Sequence, residues 1–407
     1  MTAMMGACTI VSPNYLPFAR TLAESYRFHH PDQSFFVLVV ADVTDTKLFD
    51  SEPFTTVLLR DLPLSNVNSL AMKYDILELN TNAKPTFMKH LFATFGLNKL
   101  VYLDPDICVY SPLTPVFDLL DTASVALTPH LTSPVPLDGR TPNEQDMLYN
   151  GTYNLGFIGV RHDAEADRML DWWEDRCLQQ GFSEARTGLF VDQKWINLAP
   201  GFFPGVQLVR HPGCNMAYWN LHERRLSQKE GRRLVNAQHP LCFYHFSGVD
   251  VEDRGALSTH SNRFTLVDRP DLQDLFDDYK DTVKRNRVPA LDSLAYGFDR
   301  FTDGTVVNRL ARRIYSKHEE LRTDENPFET RGRFFSFCKR HGLLSGKQKP
   351  GKSTWHEFDP TDRRVVAVHR LLRLALRLLG PDRYELLMRY LAYITVLRNQ
   401  SVFIKDK

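Results

Sequence analysis

Leu100-Val101-Tyr102-Leu103-Asp104-Pro105-Asp106-Ile107-Cys108-Val109 reads as a buried-type strand that ends in two carboxylates and then resumes as apolar sequence. Side chains alternate along an extended segment, so Asp104 and Asp106 face one side, and Pro105 removes a ladder hydrogen bond between them. Two carboxylates held together repel each other unless a proton or a divalent cation relieves the repulsion. A metal is therefore the first expectation for this strand end. A lone D-x-D pattern also occurs in solvated turns, so the pattern needs company before it decides a function.

Working outward, residues 8–11 read as a short buried strand that Ser12-Pro13-Asn14 breaks. Residues 16–28 have helical periodicity stopped at His30-Pro31-Asp32, and residues 35–40 form a second buried strand ending at Ala41-Asp42. In such a β-α-β unit the parallel strands place their carboxyl ends, and any ligand, on one edge. Asp42 and the 12–15 turn are expected to meet there. Further strands are predicted at 54–59, 124–127, 153–160, 206–210 and 241–246, with helices at 73–79, 85–95, 164–180 and 192–198. Residues 129–145 read as a long polar loop carrying Pro134, Pro136, Gly139 and Pro142.

The 407 residues exceed the usual single-domain range, and 43% hydrophobic with 24% charged residues is the composition of a chain with a substantial core. A net charge of +1 argues against general nucleic-acid binding. The six cysteines are dispersed without a C-x-x-C pair and read as reduced core residues of a cytoplasmic protein. No basic segment followed by an apolar core opens the chain, and no apolar run reaches the roughly 18–20 residues of a spanning helix.

The expected organisation is a catalytic domain over 1–255, a helical extension packed on it over 256–345, a linker at 346–355 and a basic helical segment over 356–407. From residue 361 onward ten Lys/Arg face four Asp/Glu, with Arg370, Arg373 and Arg377 on one helical face. Such a segment fits either an anionic membrane surface or a helical pair packed on the catalytic domain with its arginines in water.

Other motifs accompany the acidic pair in order. Asn14-Tyr15 follows the first strand, Tyr102-Leu103-Asp104-Pro105-Asp106 fits Y-L-D-x-D, and Tyr153-Asn154-Leu155-Gly156-Phe157 fits [FY]-N-x-G-[VF]. Asp192-Gln193-Lys194-Trp195-Ile196-Asn197 fits D-Q-x-x-[LI]-N, and His245-Phe246-Ser247-Gly248 fits H-[FY]-x-G. Over about residues 5–255 the series resembles the metal-dependent GT-A glycosyltransferases, specifically family 8 and family 8-like enzymes of bacterial polysaccharide type. The fold class the resemblance implies is α/β, a Rossmann-like nucleotide-sugar-binding mixed sheet flanked by helices, with a C-terminal helical extension.

The resemblance implies transfer of a hexose-type sugar from a nucleotide-sugar donor, most simply a UDP-sugar, to a glycan or lipid-linked glycan hydroxyl. It implies Mn²⁺ or Mg²⁺ held by Asp104, Asp106 and His245, with Asp104 also bridging to the ribose. Tyr15 would stack on the base, with Ile10, Val11, Asn14 and Asp42 beside it and Lys84 near the diphosphate. Asp192 and Gln193 would lie beneath the reacting sugar, and Asn154 would orient sugar hydroxyls or Asp192. The family favours retention; in an inverting enzyme Asp192 would instead be the base. No nucleic acid is expected as a partner. The expected location is cytoplasmic, with peripheral contact at the inner membrane face as the membrane variant.

Two departures weaken the likeness locally. Ser12 and Pro13 replace the family's acidic residues before Asn-Tyr, and Val249-Asp250-Val251 replaces the Lys-Pro-Trp that commonly follows the His motif. A basic group would then come from Arg254, Arg263 or Lys84. Residues 215–222 would line the donor-sugar or acceptor site, or pack as a core turn. The rivals are a haloacid-dehalogenase-type phosphotransferase using the D-x-D strand end and a non-catalytic scaffold of the same fold.

Overall fold

Strands β1 (Met5–Val11), β2 (Ser34–Val39), β3 (Thr55–Leu58), β4 (Lys99–Leu103), β5 (Ile107–Val109), β6 (Val125–Pro129) and β7 (Tyr153–Arg161) follow in chain order. The computed structural model that defines them describes residues 4–253, 255–347 and 362–406. Arg254 and most of the expected 346–355 linker lie outside the described residues. The main sheet has seven strands in the order Val206–Leu208, β6, β7, β4, β1, β2, β3. β1 pairs in parallel with β2 and β4, and β2 with β3, while β7 runs antiparallel between β4 and β6. The fold is thus mixed α/β, a central mixed sheet flanked by helices.

Strands buried on both faces read as continuous apolar runs, and β1, β2 and β4 are such runs. The core joins Ala7, Val37, Val101 and Phe157 from the sheet to Leu16, Ala19, Leu22 and Tyr26 of helix Leu16–His29. Helix Lys84–Phe95 packs against helix Ala164–Gln180, whose N-terminus is capped by Asp163 through the amides of Glu165 and Ala166. A smaller sheet sets Phe243–His245 between Met216–Ala217, parallel to it, and β5, antiparallel to it.

Two compact units divide the chain: Met1–Val67 with Ile76–Gly297, and Asn68–Asp75 with Phe298–Lys407. In the second unit, Phe301 packs against Phe334, and Phe334 against Tyr315. Helix Arg363–Thr395 leaves helical geometry at Gly380, just before Pro381, and exposes Leu371, Leu374 and Leu378. No helix among the described residues is long and apolar enough to cross a membrane.

Two predicted elements are corrected. The helix expected at 73–79 is two helices, Val67–Lys73 and Ile76–Asn82. The Arg312 guanidinium takes the carbonyls of Ala71, Met72 and Tyr74, satisfying the end of the first helix and stopping it there. The loop expected to run to 145 gives way to helix Glu144–Asn150, started by a capping box between Asn143 and Asp146.

Candidate metal centre

The parallel strands deliver their carboxyl ends to one edge of the main sheet. β1 ends into Ser12–Tyr15 and β4 into Asp104, while the antiparallel β7 enters from the same edge with Tyr153 and Asn154. Beyond β4 the chain turns at once, with the Ile107 amide donating to the Asp104 carbonyl at 3.0 Å. β5 then pairs antiparallel with Phe243–His245, placing Ile107 opposite His245, and the Phe246 amide donates to the Asp106 carbonyl at 2.8 Å. This pairing carries an imidazole more than a hundred residues away onto the acidic turn.

His245 Nε2 lies 3.0 Å from Asp106 Oδ1 and 3.9 Å from Asp104 Oδ2. The imidazole is 4% exposed while the two carboxylates are 31% and 23% exposed, so the ring forms a floor beneath groups that reach solvent. Asp104 also accepts from the Tyr102 hydroxyl at 2.7 Å. Gly156 permits the approach: a Cβ there would stand 2.3 Å from His245 Cε1 and 2.8 Å from Asp104 Oδ2.

Asn154 sets the ring's orientation. Its Oδ1 lies 3.2 Å from His245 Nδ1 and accepts from Asn215 Nδ2 at 3.0 Å, and its Nδ2 is 3.2 Å from His130 Nε2. In the arrangement that satisfies these contacts His245 Nδ1 donates, leaving Nε2 to face the carboxylates. Trp219 stands edge-on to the ring with centroids 5.2 Å apart.

Burial pushes the Asp104 carboxyl above the usual carboxylate range; Lys84 and His245 oppose that shift and the Asp106 charge adds to it. Burial alone would lower His245, but the Asp106 carboxylate, aided by Asp104, outweighs it and raises the imidazole. Two carboxylates beside one imidazole leave a negative charge that a divalent cation would balance. Their ligand atoms lie within 4.8 Å of one another, and a set of two carboxylates and one imidazole suits Mn²⁺ or Mg²⁺.

The other expected site residues are placed as follows. Tyr15 is 44% exposed, stacks on Phe18 and feels Asp106 and Asp104, which add to the burial that raises its phenol. Asn14 is exposed beside it, whereas the side chains of Ile10 and Val11 are buried, leaving only their main chains at this edge. The Val11 carbonyl already accepts from the Val40 amide. The Asp42 carboxylate pairs with Arg60.

Lys84 is fully buried. Its ammonium donates to Asp192 Oδ2 and to the Leu155 carbonyl, both at 2.6 Å, and lies 4.2 Å from the centroid of the Tyr102 ring. Asp192 is buried with it, and its carbonyl accepts from Trp173 Nε1 at 3.0 Å. Gln193 accepts the Leu155 amide and donates to the Asn150 carbonyl, tying its short helix to β7. The Arg263 guanidinium is held by Asp138 and the carbonyls of Arg140 and Pro142, so it pins the 138–142 loop.

Sequence reasoning missed Tyr102, His130 and the linking function of Asn154. In the 215–222 segment Asn215, Trp219 and Asn220 are buried behind His245, while Tyr218 is half-buried and its phenol feels Asp146 and Asp106. The remaining glycine of the His motif is needed for packing: Gly248 has φ +73°, and a Cβ there would stand 2.6 Å from His260 Cδ2.

No family model matches the chain. The uncharacterized protein YfnF of Bacillus subtilis (strain 168) is 28% identical over 274 residues, covering 66% of this chain and 89% of its own length. YfnD of the same organism is 26% identical over 306 residues, covering 73% of this chain and 93% of its own. Among solved structures, the galactosyltransferase LgtC in complex with donor and acceptor sugar analogs aligns with a TM-score of 0.39 at 16% identity, over 70% of this chain and 98% of that one. The glycosyltransferase GlyE of Streptococcus pneumoniae TIGR4 aligns with a TM-score of 0.41 at 12% identity, over 70% of this chain and 63% of that one. Likeness at this level carries no weight for activity.

Proposed function

We propose that the chain is a GT-A glycosyltransferase of family 8 type. It moves a hexose-type sugar from a nucleotide-sugar donor, most simply a UDP-sugar, to a glycan or lipid-linked glycan hydroxyl, with divalent-metal dependence and retention of configuration. The observation that carries this reading is the convergence of Asp104, Asp106 and His245 at the carboxyl edge of the parallel strands, beside the half-exposed Tyr15 ring.

Asp104, Asp106 and His245 Nε2 would hold the cation. A bound Mn²⁺ or Mg²⁺ supplies charge compensation for a diphosphate and for its departure. Asn154 keeps His245 Nε2 directed at the two carboxylates. Tyr15 offers a flat ring to a nucleotide base. The Lys84–Asp192 pair anchors the start of the Gln193 helix against β7, so Lys84 supports the floor of the site from within rather than from its surface. Asp192 and Gln193 are both buried rather than at the surface.

The phosphotransferase reading asks Asp104 to be a free nucleophile, whereas its carboxylate is engaged by Tyr102 and lies beside His245. A thermal-shift screen of nucleotide sugars with and without Mn²⁺ separates the readings. Stabilisation that requires the metal, followed by donor hydrolysis with an unchanged anomeric configuration, supports the retaining transferase. Stabilisation by phosphate mimics supports the phosphotransferase, and silence supports a scaffold. The basic helix Arg363–Thr395 is proposed to contact an anionic inner membrane face near a lipid-linked acceptor. Liposome flotation unchanged by truncation at residue 355 removes that part of the proposal.

A further inference from the structure

A second group of ligand-type side chains stands apart from the acidic turn. His211, Cys214 and Cys242 place one ring nitrogen and two sulfurs within 4.8 Å of one another. His211 Nδ1 is 4.0 Å from Cys214 Sγ and 3.9 Å from Cys242 Sγ. Both cysteines are 1% exposed while His211 is partly exposed, so the group opens toward solvent on its imidazole side.

The backbone is built to bring these residues together. The Cys214 amide donates to the His211 carbonyl at 2.9 Å, closing a turn. The amides of Cys242 and Phe243 both donate to the Gly213 carbonyl, at 2.8 and 3.1 Å. A Cβ at residue 213 would stand 1.8 Å from the Pro240 carbonyl oxygen, so only glycine allows the two segments this close. Nδ1 of His211 also accepts from the Gly213 amide at 3.2 Å, a contact that its single lone pair would give up on binding a cation.

Two thiols and one imidazole form a soft donor set that favours zinc over the hard cations suited to a carboxylate site. We infer that His211, Cys214 and Cys242 form a zinc site that clamps the 211–214 turn to the strand carrying His245. Binding forms two zinc–thiolate bonds and one zinc–imidazole bond, and any proton still held by the two sulfurs passes to solvent. The fourth position would be left to water. The inference does not rest on the transferase reading, because none of its ligands belongs to the acidic turn.

The test uses the full chain, purified in reducing buffer, with metal content measured by mass spectrometry after dialysis against a mild chelator. Expected are about one zinc per chain and, after exchange with Co²⁺, thiolate-to-cobalt charge-transfer bands that Mn²⁺ does not displace. Cys242→Ser should remove the bands and the retained zinc. Because that buried substitution risks misfolding, His211→Ala at the more open position provides a second readout, with weakened zinc retention and a preserved circular dichroism spectrum. Three results would overturn the inference: no charge-transfer bands in the wild type, bands unchanged in Cys242→Ser, or a Cys214–Cys242 disulfide two hydrogens lighter by mass.

Discussion

Two ligand clusters share one short strand and differ in almost every physical respect. His245 ends the strand and faces two carboxylates that reach solvent, whereas Cys242, just before its start, faces another buried sulfur and an imidazole. The first set is hard, charged and open, fit for a cation that must also meet a substrate. The second is soft, mostly enclosed and fit for a cation that only holds the protein together. The strand's position is thus specified twice, at its base by the sulfur and imidazole cluster and at its tip by the amide of Asn154.

Removing one carboxylate from the hard set has the largest expected consequence. Asp106→Ala should abolish metal-dependent donor binding and lower transfer by about a thousandfold or more, since a bound cation supplies several kcal/mol of charge stabilisation. Zinc retention at His211, Cys214 and Cys242 should be unaffected. Calorimetry showing unchanged Mn²⁺-dependent donor binding in this variant would remove the assignment of Asp106 as a ligand.

Next in size is the buried pair beneath the site. Lys84→Met leaves Asp192 without its cation in a fully buried position, and should cost about 3–5 kcal/mol in urea denaturation. The double variant Lys84→Met, Asp192→Leu should recover most of that loss, because replacing both charges removes the unpaired carboxylate. If the recovered protein also transfers sugar at the wild-type rate, the pair is structural alone.

That His245 and Asn154 come close to the acidic pair could be anticipated because each belongs to a short motif whose order along the chain is visible without any knowledge of contacts. The strands were legible because parallel strands covered on both faces are apolar throughout. What could not be read were pairings across long separations. Lys84 looked like a surface or diphosphate lysine because nothing in residues 80–90 shows that Asp192 lies 2.6 Å from its ammonium. The cysteines looked inert because Cys214 and Cys242 meet through long-range backbone contacts, the Gly213 carbonyl with the Cys242 amide and the pairing of Met216–Ala217 with Phe243–His245. The break after Lys73 was hidden for the same reason: its cause is a guanidinium some 240 residues away.

A smaller effect comes from His130, behind Asn154. Burial holds its imidazole down to about 4, and the Asn154 amide donates toward Nε2, leaving no room for a second proton. An unfolded histidine titrates near 6.5, so the unfolded chain takes up the proton first. This contribution to stability is complete above about pH 6.5 and is lost as the pH falls toward 4, by roughly 3 kcal/mol at the acid end. His130→Gln should flatten the stability slope across that window relative to wild type. An identical slope in the variant would show that the His130 imidazole takes up its proton as readily in the folded chain as in the unfolded one.

The smallest and most discriminating effect is expected from Asn154→Ala. The Asn154 side chain touches neither Asp104 nor Asp106 in any contact the structure describes; it acts on the site through His245 Nδ1. Removing it frees the ring to turn, and loss of an outer hydrogen-bond partner of a metal-bound histidine typically costs 10–100-fold in metal affinity. Mn²⁺ affinity should therefore fall by about that factor, with transfer restored at saturating Mn²⁺ because the ligands themselves remain. Asn154→Asp, which keeps an acceptor toward Nδ1, should recover most of the affinity. A transfer defect that saturating Mn²⁺ leaves in place would instead mean that Asn154 touches the sugar, and would move it from behind the metal centre to its front.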